Sequence, residues 1–78
     1  MRDLIISRII EITTALDTVN AILKVLEKPM LKDFNDEYFA SVLTAASDED
    51  LLSAYDLLSI PPYEWPLMYG FAPEDCII

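Results

Sequence analysis

Carboxylates are the reactive groups that this sequence offers in quantity. It has fourteen aspartates and glutamates among 78 residues, and it contains no histidine. The commonest general base, the usual zinc ligand and the histidine-dependent catalytic triads are therefore missing. The single cysteine, Cys76, has no neighbouring base that would convert it to a thiolate nucleophile. We therefore expect a protein that is not an enzyme.

Residues 33–37 begin like a calcium-binding loop, with Asp33, Asn35 and Glu37 at alternate positions. Such a loop needs a glycine at its sixth position and a glutamate at its twelfth. This chain has Tyr38 and Thr44 there instead. We therefore expect no calcium site.

A second acidic cluster, Asp48, Glu49 and Asp50, directly follows Ser47. A serine at this position can accept a hydrogen bond from a free amide of the next helical turn, and the carboxylates complement the positive helix start. The cluster is thus explained as a helix start. Because the only glycine is Gly70, there is also no glycine-rich loop for a phosphate. We predict neither metal nor cofactor.

A heptad pattern defines the element around which the chain is organised. Its members, at alternating spacings of three and four, are Ile5, Ile9, Ile12, Leu16, Val19, Leu23 and Leu26. Residues at these spacings share one helix face. The pattern predicts one long helix over residues 3–28, ended by Pro29, although Thr13 and Thr14 within it are poor helix formers.

This apolar stripe must be covered, either by the rest of the chain or by a second copy. Further apolar residues widen it, which favours an intrachain core over a two-stranded coiled coil. We expect Ile12→Asp, in the middle of the stripe, to unfold the protein. The alternative is a homodimer formed through Ile5, Ile9, Ile12, Leu16 and Val19.

Two shorter helices and an extended segment are predicted downstream. Asn35 or Asp36 can cap the first helix, and Ser47 the second. Aromatic and apolar residues alternate with other residues from Tyr63 to Phe71, which is typical of an extended segment. We therefore predict a mainly α single domain with a long helix (1–28), two short helices (29–59) and an extended, aromatic and proline-rich tail (60–78).

The charge is strongly asymmetric. All five basic residues lie in the first 32 positions, and ten acids with no base follow from Asp33 onward. Such a surface repels nucleic acids and anionic membranes, so we expect a basic protein partner. The predicted partner-binding residues are Asp48, Glu49, Asp50, Asp56, Glu64, Trp65 and Tyr69. Two alternatives stay open: the acids serve only solubility, and the aromatic tail covers the core rather than binding a partner.

Segments 1–12 and 43–58, the second containing Ser-Asp-Glu-Asp-Leu-Leu-Ser-Ala-Tyr-Asp, resemble the small early accessory proteins of tailed bacteriophages. The resemblance covers about a third of the chain. It implies a protein that binds and modulates a host factor, including restriction or CRISPR nucleases, and it assigns no functional residues. The single cysteine and the lack of a visible targeting segment indicate the cytoplasm.

Two functions follow as expectations. The first is an inhibitor whose acidic surface occupies a basic groove of a host protein, as a nucleic-acid mimic would. The second is an adaptor without catalytic activity that dimerises through its N-terminal helix. The dependence of binding on ionic strength distinguishes the two functions, because salt weakens charge-driven docking and does not weaken an apolar helix contact.

Overall fold

The computed structural model describes residues 1–77 and is mainly helical, which confirms the predicted class. Its helices are α1 (Arg2–Ile12), α2 (Leu16–Val25), α3 (Asp36–Ala45), α4 (Asp48–Leu58) and the single-turn α5 (Trp65–Met68). Two 3₁₀ turns, Pro62–Glu64 and Pro73–Cys76, flank α5. No strand occurs within the described residues.

The predicted long N-terminal helix is wrong, because the chain leaves the helical conformation between α1 and α2. Thr13 (φ −94°, ψ 90°) and Ala15 (φ −113°, ψ 142°) have extended backbones. A continuous helix over residues 3–28 would be about 39 Å long, whereas the longest dimension of the molecule is 30 Å. The break at the helix-disfavouring Thr13 and Thr14 lets one small core cover both halves.

The break divides the heptad stripe between two packing environments. Ile9, Val19 and Leu23 are fully buried, whereas Ile12 is 37% exposed. Ile12 is the last residue of α1, so its side chain lies at the edge of the core. The expectation that Ile12 lies in the middle of a buried stripe is therefore wrong. Ile9 and Val19, predicted to take part in self-association, are buried within their own chain and have no surface for a second copy.

The core lies where the four longer helices meet. Helix α1 packs against α3 and α4, while α2 packs against α4 and the turn Pro73–Cys76. The largest fully buried side chains are those of Trp65, Phe39, Ile9, Ile22 and Leu23. Residues from both ends of the chain therefore share one apolar cluster.

Both predicted helix caps are present. The Asn35 side chain accepts a hydrogen bond from the Tyr38 amide at 3.0 Å, which starts α3. Ser47 Oγ accepts from the Asp50 amide at 3.1 Å, which starts α4. Each bond satisfies one of the amides that a helix start leaves free.

The tail is not extended, which corrects the prediction from its alternating aromatic residues. Pro62 and Pro66 lie in the first turns of a 3₁₀ turn and of α5, respectively, and Pro73 begins the last turn. Proline suits these positions because its fixed φ is helical and the missing N–H would have no partner there. Gly70, with φ of 82°, follows α5, and its amide donates to the carbonyl oxygens of Trp65 and Pro66, which ends this helix.

Asn20 fastens the tail to α2. It is fully buried, and its Nδ2 donates to the carbonyl oxygens of Leu31 at 2.9 Å and Cys76 at 2.7 Å. The Leu31 amide donates to Asn20 Oδ1 at 2.7 Å. One amide side chain thus connects α2, the segment after it and the C-terminal turn.

We expect Asn20→Ala to lower the free energy of unfolding by about 3 kcal/mol, because three backbone groups lose their partner. Asn35→Ala is the matched control, since it removes an exposed cap worth about 1 kcal/mol. Urea unfolding followed by circular dichroism measures both. Equal losses in the two variants would contradict the role given to Asn20.

Because of the break between α1 and α2, we expect Ile9 and Ile12 of the apolar stripe to differ in how well they tolerate a charged substitution. Ile9→Asp should unfold the protein, because it places a carboxylate in a fully buried site. Ile12→Asp should cost only about 1 kcal/mol, from lost partial burial and from a negative charge at a helix end. Thermal melts compare the two variants, and an unfolded Ile12→Asp protein would speak against the break.

Candidate protein-binding site

The outward face of α4 carries two carboxylates on either side of an apolar side chain. Glu49, Leu52 and Asp56 are spaced by three and four residues and so lie along one line of the helix. All three are exposed, Leu52 to 57%. Leu51, Ala54 and Leu57 are buried on the opposite side of α4, as its amphipathic pattern requires. We call Glu49, Leu52 and Asp56 the α4 outer face.

Few carboxylates are neutralised by a neighbouring cation. Among residues 1–77 there are two salt bridges, Arg2–Asp48 at 2.6 Å and Arg8–Glu11 at 3.6 Å. Neither includes a residue of the α4 outer face. Its negative charge is therefore presented to solvent without compensation by an ion pair in the described chain.

Asp48 belongs to a structural contact. The Arg2 guanidinium donates to Asp48 Oδ1 and to the Thr44 carbonyl oxygen at 2.9 Å, and it also contacts the Ala46 carbonyl. These hydrogen bonds hold the start of α1 against the loop between α3 and α4. Asp48 thus has one oxygen engaged, although its side chain is still 88% exposed.

The predicted aromatic anchor Trp65 lies in the core. Its side chain is 1% exposed, and its ring lies 6.1 Å from that of Phe71. Tyr69 stacks on Phe71 at 5.9 Å, and Lys24 Nζ lies 5.5 Å from the Phe71 ring centre. At Trp65 the tail therefore covers the core and does not form a binding arm. This side chain has no exposed surface that a partner could contact.

Tyr69 lies near Asp56, one residue of the α4 outer face. It is partly buried, and burial raises its pKa above the ordinary value of 10.0, with a smaller contribution from the nearby Asp56 carboxylate. The phenol therefore stays neutral at physiological pH. Its hydroxyl adds a polar group beside Asp56.

The remaining predicted residues are not part of this face. Asp50 lines a separate cleft of about 330 Å³ together with Lys28, Tyr38 and Ser41. Glu64 is partly buried at the end of a 3₁₀ turn. The structure thus places Glu49 and Asp56 on one line of α4, with Tyr69 near Asp56, whereas Asp50 lines a different cleft.

Sequence reasoning missed an apolar groove between α1 and α4. Its walls are formed by Met1, Leu4, Ile5, Leu52 and Tyr55, with Arg8 at its edge. We call this the α1–α4 groove. The spacing of Met1, Leu4, Ile5 and Arg8 placed them on one helix face. Their meeting with α4 is a tertiary contact that no local pattern predicts.

Two further classes of site are absent from the described residues. Across positions 1–77, no group of three or more Asp, Glu or Cys side chains is arranged to hold a metal ion. No helix within this range has the length and apolar character needed to cross a membrane. No family model matches the chain, and no similar curated protein or solved structure was found.

Cys76 is a buried thiol. It is fully inaccessible, and its Sγ lies 3.7 Å from the Ala72 carbonyl oxygen. Burial raises the pKa of the thiol above its ordinary value of 9.0, an effect that the neighbouring Lys24 partly offsets. A buried, protonated thiol is a poor nucleophile.

The raised pKa predicts how stability depends on alkaline pH. The thiol ionises first in the unfolded chain, so the free energy of unfolding should be unaffected by Cys76 below about pH 9 and fall above it. Cys76→Ala should flatten this part of the profile and leave the decline that comes from the raised pKa of Tyr69. Urea unfolding at a series of pH values gives the free energy of unfolding of the wild type and of Cys76→Ala. If the two proteins lose stability in parallel above pH 9, the decline does not come from Cys76.

Proposed function

We propose that this protein is a binding protein without catalytic activity that docks on a basic surface of another protein through the α4 outer face. The observation that carries the proposal is the arrangement of Glu49 and Asp56 around the exposed Leu52, with no ion pair to either carboxylate within residues 1–77. This is an acidic surface with an apolar centre.

Each part of the face has a separate role in binding. The carboxylates accept charge-assisted hydrogen bonds from arginine or lysine, and the net charge of −9 speeds encounter with a basic partner. Leu52 adds an apolar contact that salt does not screen. The rigid helix holds the three side chains in fixed register, which limits the entropy lost on binding.

The partner class comes from the resemblance to phage accessory proteins. We propose a host protein with a nucleic-acid-binding groove, such as a restriction or CRISPR nuclease in the host cytoplasm. The acidic face would occupy that groove and exclude the nucleic acid, as a nucleic-acid mimic does. Direct binding of nucleic acid by this chain itself is disfavoured by its charge.

A second candidate function is an adaptor that self-associates. The specific observation in its favour is the α1–α4 groove, whose apolar side chains are exposed. The two functions use different residues apart from Leu52. They are therefore separable by substitution.

The test compares two pairs of isosteric substitutions with the same loss of charge. The partner is first captured from a bacterial lysate on the immobilised protein and identified. Glu49→Gln with Asp56→Asn should then slow association with the purified partner about tenfold at low salt and flatten the salt dependence. Glu37→Gln with Asp36→Asn, at the exposed start of α3, is the control and should retain most of the rate.

Thermal melts of both variants should fall only slightly below the wild type, because exposed charges contribute little to stability and both pairs include a carboxylate in a first helical turn. Equal slowing by the two pairs would indicate that net charge alone drives the encounter. In that case the α4 outer face is not the docking site.

A further inference from the structure

A cleft of about 330 Å³ opens between the end of α2, the helix α3 and the start of α4, and its volume is near the lower end of the range for small-molecule sites. Helix α3 packs mainly on α1, and α2 mainly on α4 and the turn Pro73–Cys76, which leaves space between α2 and α3. We call this space the α2–α3 cleft. Residues that line it include Leu26, Lys28, Tyr38, Ser41, Val42 and Asp50.

The α2–α3 cleft combines apolar and hydrogen-bonding groups. Leu26 and Val42 are each 8% exposed, so they form an apolar floor at the edge of the core. Ser41 Oγ donates to the Tyr38 carbonyl oxygen at 2.8 Å. Its oxygen can still accept a hydrogen bond. The cleft therefore suits a ligand that has both an apolar group and an N–H donor.

One cation and one anion also line the cleft. Lys28 and Asp50 form no salt bridge among residues 1–77, either with each other or with a third residue. The Lys28 amide donates to the Leu23 carbonyl oxygen at 2.8 Å, and the Asp50 amide donates to Ser47 Oγ at 3.1 Å. A helix end thus fixes the backbone of each charged residue, while both charges stay available to a ligand.

We propose that the α2–α3 cleft binds a short free peptide with an apolar side chain. The terminal carboxylate of the peptide accepts from Lys28 Nζ, and its terminal ammonium donates to the Asp50 carboxylate. Its side chain packs on Leu26 and Val42, and a peptide N–H donates to Ser41 Oγ. An ion of one sign matches only one of the two protein charges, whereas a zwitterion matches both.

A peptide fits better than a single amino acid because of the separation of its charges. In an amino acid the ammonium and the carboxylate are attached to the same carbon atom. In a dipeptide a whole peptide unit lies between them. Lys28 and Asp50 are too far apart to pair with each other, which favours the ligand with the wider separation.

The test is a titration of the isotope-labelled protein with the dipeptide alanyl-leucine, followed by the amide signals in NMR spectra. A Kd of about 1 mM is expected for a ligand of this size. The signals of Ser41 and Val42 should shift, and those of the α4 outer face should not. Acetylating the amino terminus or amidating the carboxyl terminus removes one charge, and each should weaken binding about fivefold.

Matched substitutions identify which protein charge recognises which end of the peptide. Lys28→Gln should weaken binding of alanyl-leucine about fivefold and leave binding of its amide unchanged, because the amide has no carboxylate. Asp50→Asn should have the same effect and leave binding of the acetylated dipeptide unchanged. Lys32→Gln and Asp33→Asn are exposed controls outside the cleft and should bind like the wild type. Thermal melts confirm that each variant is folded.

The proposal is overturned if the α3 signals do not shift up to about 20 mM alanyl-leucine, at which a site of this affinity is almost filled. Equal binding of the free and the blocked dipeptides would also overturn it, because the cleft would then recognise only the apolar group. Neither result bears on the proposed docking of a protein partner, whose test rests on Glu49 and Asp56.

Discussion

The buried amide of Asn20 is the contact on which the arrangement of the chain depends. It holds Leu31 and Cys76, which are far apart in sequence, against the same side of α2. A buried amide needs all these partners, since each group left unpaired would carry a desolvation cost. The C-terminal segment is thereby fixed where Trp65 can fill the core. An apolar residue of similar volume in place of Asn20 would fill the same space. It would not form the hydrogen bonds that position Leu31 and Cys76 against α2.

The position of the tail decides which surfaces stay open. Because it covers the α2 side of the core, the side formed by α1 and α4 has no such cover and leaves Leu4 and Leu52 exposed. Trp65, of a residue type that is a common anchor in interfaces, here fills the core, whereas Leu4 of α1 and Leu52 of α4 face solvent.

Local signals in the sequence predicted local features well. The caps at Asn35 and Ser47 each depend on one side chain and its nearest amides, and both are present. The break after Ile12 was missed because the heptad spacing continues in register across Thr13 and Thr14, so apolar pattern alone could not reveal it. In the tail, Trp65 and Tyr69 satisfy both the period of two and the helical spacing of four. The exposure of Glu49 and Asp56 followed from their charge, whereas the burial of Trp65 depends on tertiary packing.

Placing the proposed recognition on α4 has a consequence for how binding responds to salt. Glu49 and Asp56 act through charge, which salt screens, whereas Leu52 acts through apolar burial, which salt does not weaken. Encounter with a basic partner depends on the charges, and retention of the bound partner depends also on the apolar contact. Higher ionic strength should therefore slow association more than it speeds dissociation.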